Sequence, residues 1–352
     1  MQKLGRLDSE SKGQGINVVK WMEMVTFDTL GEMAFGESFG CVDREEHHEW
    51  IDLILNHLLE ITLVDNLRRF PVVAALGRLL LPSLTVAVRN KHSNEARRKV
   101  KLRLEADTTR QDFLTNLVSK VKSGALWEEE LTAHASTLMY VRRFLHYTPQ
   151  MSYLGNIHII NRIAGGETTA TCLAAASYYL LKTPKALETL VSEIRSRYKT
   201  YEEIDAKSAM QLPYLQAVLN ESLRIYPPGS QGFPRISPGC EIDGYWVPKG
   251  TEVYTSAFTV THDAKYFHEP ESFVPERWLD LDCTDVKEAS QPFSLGYRAC
   301  IGRKYVVKCA SLPVSYFYNI RVLTSFGVTV SRTCKWHLLW LRCCSSMTYH
   351  FH

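Results

Sequence analysis

A mainly α-helical fold with a small β region is predicted by three features of this 352-residue sequence. Apolar residues recur at three- and four-residue spacing up to about Tyr226. The stretch beyond is rich in turn residues and short alternating runs, and no strand–helix–strand rhythm is present. With 45% hydrophobic and 22% charged residues the chain is globular in composition, long enough for one large domain or two ordinary ones. The formal charge of +3 is too near balance to point to nucleic acid.

Taken in order, the opening MQKLGRLDSESKGQG is polar and contains glycine, so it reads as neither a signal peptide nor a membrane anchor. The apolar run LLLPSLTVAV carries a proline and is too short to span a bilayer. The basic run from Arg89 to Glu105 reads as a solvated helix face, with docking of an acidic partner as the alternative. At Gly165-Gly166 a glycine pair enters the helical stretch AGGETTAT, where glycine is costly; the pair points to close approach of a bulky group. In LPYLQAVLNESLRIYPP, Leu215, Val218, Leu219 and Leu223 define an amphipathic helix that Pro227-Pro228 stops. Within it, Glu221 and Arg224 lie one turn apart and can meet on one face. The stretch EIDGYWVPKGTEVYTSAFTV alternates around Pro248-Lys249-Gly250 and reads as a β-hairpin.

Nine cysteines include no C-x-x-C pair, and their spacing fits neither a zinc site nor a compact disulfide framework; free thiols in a reducing compartment are expected. Cys300 stands apart. A single cysteine is ordinarily a small buried hydrophobe, but in FSLGYRACIG, Gly296 and Gly302 let the backbone approach a flat ligand and Arg298 adds a fixed positive charge. A polar, backbone-rich setting of this kind suits a thiolate that binds metal.

The spaced set Phe293, Gly296, Arg298, Cys300 and Gly302 resembles the haem-binding loop of the cytochrome P-450 monooxygenases. The resemblance implies the cytochrome P-450 fold, incomplete at both ends, with haem b as cofactor and the Cys300 thiolate as axial iron ligand. Arg298 would hold a haem propionate, and Phe293 would pack beside the sulfur. It further implies that Glu221, Arg224 and Arg277 of PERW form a structural network, and that Arg235 lies where a propionate-binding residue is often found. AGGETTAT resembles the distal helix motif, in which Glu167 and Thr168 deliver protons to dioxygen. The wording of RQDFLTNLVSKVKSG, GSQGFPRISPG and GTEVYTSAFTVTHD is most similar to fungal isotrichodermin-type hydroxylases of secondary metabolism.

The function so implied is insertion of one oxygen atom from O2 into a C–H bond of a hydrophobic, terpenoid or trichothecene-like metabolite. NADPH-cytochrome P-450 reductase would supply the electrons, at the cytosolic face of the endoplasmic reticulum membrane, with membrane association expected of the full-length family member only. The alternative is a non-catalytic truncated or mis-spliced remnant unable to hold haem.

Residues 1–303 are read as a partial domain that begins beyond the family's anchor and first helices. Residues 139–162 read as an insertion or retained intron, since Tyr147-Thr148-Pro149 breaks what should be one helix. Residues 304–352 read as an aberrant tail in which KYVVKCASLPVSYFYNIRVLTSFG carries no helical pattern. Met139-Tyr140-Val141 and Lys304-Tyr305-Val306 can both be encoded around G-TAY-GT, a fungal intron start.

Overall fold

The apolar spacing ahead of Tyr226 is realised as helices in a computed structural model, which describes residues 17–49, 82–106, 112–139, 165–200, 202–230, 232 and 234–319. The elements of the first half are α1 (Val18–Phe35), α2 (Cys41–Arg44), α3 (Pro82–Glu105), α4 (Thr115–Lys122) and α5 (Glu128–Met139). Then follow α6 (Glu167–Lys182), α7 (Pro184–Arg197), α8 (Ala206–Ala209) and α9 (Pro213–Ile225). The second half holds β1 (Arg235–Ile236), β2 (Cys240–Ile242), β3 (Tyr245–Val247), β4 (Glu252–Val253), α10 (Ala257–Thr261), three short 3₁₀ turns and α11 (Arg303–Asn319). Contacts divide the chain into two units, residues 23–167 and residues 1–22 with 168–352.

The second unit is organised around α9. Tyr214, Leu215, Ala217, Val218, Leu219 and every residue from Glu221 to Ile225 are buried, so this helix is covered on nearly all sides. It starts where Pro213 supplies the preset φ of a first helical residue. Its next two amides, of Tyr214 and Leu215, donate to the Glu193 carboxylate of α7 at 2.8 and 2.9 Å. A carboxylate there satisfies two otherwise orphaned donors and meets the positive end of the helix dipole. Ala186, Leu190 and Ile194 form the buried stripe of α7, and Ala170, Leu173, Ala176 and Leu180 of α6 join the same core.

Two expectations are corrected in this unit. The hairpin turns at Asp243-Gly244, where both residues have positive φ (51° and 80°) and close β2 on β3 with Ile242 opposite Tyr245. That geometry is the primed two-residue turn that matches strand twist. The Pro248–Gly250 stretch instead leads to β4, which pairs with β1, so the alternating run is shared between two two-stranded sheets. Beyond Ser256, whose hydroxyl accepts from the Thr259 amide as an N-cap, the chain is the helix α10 and no strand.

The second correction concerns the segment after Arg303, which is helical to Asn319. Val306, Ala310, Val314 and Tyr318 fall four residues apart and are all buried, against α7, α8 and α9. Pro313 lies inside this helix and removes one amide donor, a cost that burial of the apolar stripe offsets. The reading of residues 320–352 as aberrant, and that of 139–162 as an insertion, fall outside the described residues, save for Met139 at the end of α5.

In the unit of residues 23–167, α3 and α4 each pack on α5. The basic run is a helix whose described cations are paired: Arg97 with Glu129, Arg98 with Glu95, Lys99 with Glu37, Lys101 with Glu105 and Arg103 with Asp112. Only the Arg103–Asp112 pair is buried on both sides, and Asp112 also accepts from the Leu114 amide. Asp28 accepts from the Cys41 and Val42 amides at 2.9 and 2.8 Å and thereby seats α2. Among the described residues no helix is long and apolar enough to cross a membrane, and six cysteines are free.

The bulky group that approaches the glycine pair in this unit is Phe27 of α1. A methyl carbon built at Gly166 would lie 2.6 Å from the Phe27 ring. Gly166→Ala is therefore expected to destabilise the chain by about 1–3 kcal/mol, read as a lower urea midpoint, and Phe27→Leu in the same chain should recover part of the loss.

Candidate functional site

Cys300 lies on a loop built by one short turn and one backbone bond. The Cys300 amide donates to the Phe293 carbonyl at 2.7 Å, closing the loop across eight residues, and the 3₁₀ turn Gly296–Arg298 fills its middle. Gly296 has φ of +67° with open space where a side chain would stand, so its backbone conformation is what calls for glycine. Gly302 differs. A methyl there would meet Cys300 Sγ at 3.7 Å, an ordinary contact. Phe293 anchors the start of the loop by packing on the core, with the Arg303 guanidinium 5.7 Å from its ring centroid.

The six described cysteines divide by exposure. Burial pushes the Cys172 thiol up to about 12 and that of Cys309 up to about 11, so both stay protonated near neutral pH. Cys300 alone among the six is exposed. Around it stand Leu295, Tyr297 and Ile301, 67%, 93% and 97% exposed, with the Arg298 guanidinium 5.6 Å from the Tyr297 ring centroid and in no ion pair among the described residues. The loop thus offers a soft sulfur donor, a cation and three large apolar side chains to solvent, a mixture suited to a ligand with both apolar and anionic parts. Among the described residues no cluster of three or more His, Cys, Asp or Glu could hold a metal ion.

Behind this loop in sequence order lies a buried charge network on α9. Glu221 and Arg224, both fully buried, meet at 2.7 Å, and Arg277 Nε reaches Glu221 Oε1 at 3.2 Å. The Glu221 carboxylate accepts from Arg224 twice, from Arg277, from the Val274 amide at 3.0 Å and from Trp278 Nε1 at 2.9 Å. Arg224 spends its remaining donors on the carbonyls of Thr261, Pro270 and Ser272, at 2.8 to 3.0 Å. Phe267 lies against both guanidiniums, 5.2 Å from Arg224 and 6.0 Å from Arg277. An ion pair at helical spacing is most often a surface feature; full burial makes this one an obligatory junction between α9 and the chain from Thr261 to Trp278.

The structure thus brings Glu221, Arg224 and Arg277 together, and puts Phe293, Gly296, Arg298, Cys300 and Gly302 on one loop. Arg235 lies on β1, half-buried, with Nη1 donating to the Pro234 carbonyl at 3.2 Å. Glu167 and Thr168 open α6, both half-buried, with the acid at the end of the helix that favours negative charge. Sequence reasoning missed Trp278, Phe267 and Asp285. The first could have been found, since it follows Arg277 directly and a buried indole N–H needs an acceptor; Asp285 could not, because its pairing with Arg277 spans an irregular segment.

The pattern of the family described as cytochrome P450 matches residues 153–305 of this chain. The chain is 50% identical over 348 residues to cytochrome P450 monooxygenase ORF9 of Penicillium roqueforti, covering 98% of this chain and 63% of that protein. It is 46% identical over 330 residues to cytochrome P450 monooxygenase BOT4 of Botryotinia fuckeliana, covering 93% of this chain and 58% of that protein. To the trichothecene C-15 hydroxylase of Fusarium sporotrichioides it is 37% identical over 312 residues, 86% of this chain and 58% of that enzyme. The chain therefore spans about three fifths of the length of these curated relatives.

Removing the Glu221 charge leaves two arginines buried without their shared partner. Glu221→Gln is expected to cost about 3–5 kcal/mol, seen as loss of the cooperative urea transition or a large fall in its midpoint.

Proposed function

This chain belongs to the cytochrome P450 family, and on that footing we propose that it is the haem-thiolate portion of a monooxygenase acting on a hydrophobic fungal secondary metabolite of terpenoid, trichothecene-like type. The observation that carries the reading is the Cys300 loop, with its exposed thiol beside an unpaired Arg298 and the apolar Leu295, Tyr297 and Ile301. The substrate class draws support from the trichothecene C-15 hydroxylase relative. The overall change takes a C–H bond, O2, NADPH and one proton to a C–OH group, water and NADP+. The electrons come from NADPH-cytochrome P450 reductase at the endoplasmic reticulum membrane, as the family generally requires.

Bound haem supplies the dioxygen chemistry, and a thiolate ligand favours O–O cleavage. The chain's own residues hold and serve it. Cys300, exposed on its loop, would give its sulfur to the haem iron. Arg298 and Arg235 would pair with the propionate carboxylates, a task suited to a permanently charged, planar guanidinium. Phe293, packed on the core, would anchor the start of the loop, and its carbonyl takes the Cys300 amide. Thr168 would offer its hydroxyl as the proton donor, with the neighbouring Glu167 carboxyl as the proton source, a hydroxyl being able to accept and donate at once.

Two substitutions test separate parts of this reading. In haem-loaded protein, Cys300→Ser is expected to abolish the red-shifted carbonyl band of the reduced, carbon monoxide-treated form; an intact band would remove Cys300 as the ligand. Failure of the parent chain itself to take up haem would favour the non-catalytic remnant. With haem and reductase present, Thr168→Ala should keep the band but release more hydrogen peroxide per NADPH consumed, and unchanged coupling would take Thr168 out of proton delivery.

A further inference from the structure

The buried network does not balance with three members. Glu221 carries one negative charge while Arg224 and Arg277 carry two positive ones, all at 5% exposure or less. A net charge of +1 in the interior is costly. Besides Glu221, Asp285 is the only carboxylate among the described residues that contacts either guanidinium: Arg277 Nη1 donates to Asp285 Oδ2, and the Asp285 side chain is 2% exposed.

We infer that Asp285 is the fourth charge of this network and, through it, a positioning residue for the Cys300 loop. The four charges sum to zero, and each acid touches Arg277. The other carboxylate oxygen of Asp285 accepts from the His268 amide at 2.6 Å, and the next amide, of Val286, donates to the Tyr266 carbonyl at 2.8 Å. These two bonds bracket Phe267, whose fully buried ring faces both guanidiniums. Asp285 therefore ties the chain entering the loop to the stretch Tyr266–His268 and to Arg277 at once. From Val286 the path to Phe293 is short and held by local turns, the 3₁₀ turn Lys287–Ala289 and the Ser294 amide donating to the Gln291 carbonyl at 3.0 Å. At Phe293 the carbonyl takes the Cys300 amide. Displacement at Asp285 is passed along this path to the cysteine. Burial raises the Asp285 carboxyl, but the His268 amide, the Arg277 guanidinium and the Cys283 thiol outweigh it and hold it below the usual carboxylate range, in keeping with an ionised counter-charge.

A double-mutant cycle on the full chain separates charge balance from packing. Asp285→Asn keeps an acceptor for the His268 amide and removes only the charge; Arg277→Gln removes the opposite charge. Each single variant is expected to lower the urea midpoint, and the double variant to lie above both singles, because neutrality is restored. Additive losses would overturn the inference, as would an Asp285→Asn midpoint equal to the parent's. If neither single variant folds, a folded double variant supports the inference and an unfolded one overturns it. The positioning role is read from haem titration at matched folded fraction, where Asp285→Asn should bind haem about 10-fold more weakly. Unchanged haem affinity would restrict Asp285 to stability and overturn its role toward the loop. The urea cycle does not depend on the proposed oxygenation, so the two can fail separately.

Discussion

Burial of the Glu221 carboxylate is the constraint on which the larger unit depends. A carboxylate taken out of water must recover its hydration from the protein, and this one accepts five donors from four residues. Those donors come from α9 itself and from the irregular stretch Val274–Trp278, which has almost no regular backbone pairing to hold it. Arg224 extends the same logic to the carbonyls of Thr261, Pro270 and Ser272. A segment without sheet or long helix is thereby fixed by side-chain charge. Such a network contributes little net stability compared with an apolar core of the same volume, yet breaking any one member leaves an exposed cost.

The contrast with the Cys300 loop is physical. The network uses charges buried and fully spoken for, whereas the loop places a thiol, a guanidinium and three large apolar side chains in solvent. Burial holds the Cys172 and Cys309 thiols protonated near neutral pH, whereas the Cys300 thiol is open to a partner. The loop's own order comes from the Cys300–Phe293 backbone bond, the glycine conformation at Gly296 and the seating of Phe293 on the core.

The unit of residues 23–167 shows how the same residue types serve packing alone. Its basic helix α3 pairs each described cation with a nearby acid, and the buried Arg103–Asp112 pair doubles as a start signal for α4 through the Leu114 amide. Phe27 fills the space that Gly166 leaves, so the glycine pair that precedes Glu167 is matched to a neighbour within the chain.

Periodicity alone determined α9, from Leu215 to Leu223, and Pro227-Pro228 marked its end within two residues. The spacing of Phe293, Gly296, Arg298, Cys300 and Gly302 was likewise legible, because a loop closed by one backbone bond keeps its functional residues close in sequence. The helix after Arg303 was hidden by Pro313, although the four-residue stripe from Val306 to Tyr318 was present. The β region was misread for a different reason: Pro248-Lys249-Gly250 and Asp243-Gly244 are both turn-forming, and only pairing of β3 with β2 rather than β4 decides between them. The burial of Glu221 and Arg224, and the union of Arg277 with Glu221, Trp278 and Asp285, were decided by tertiary structure alone, because an i, i+3 ion pair looks the same in sequence whether water or a folded segment covers it.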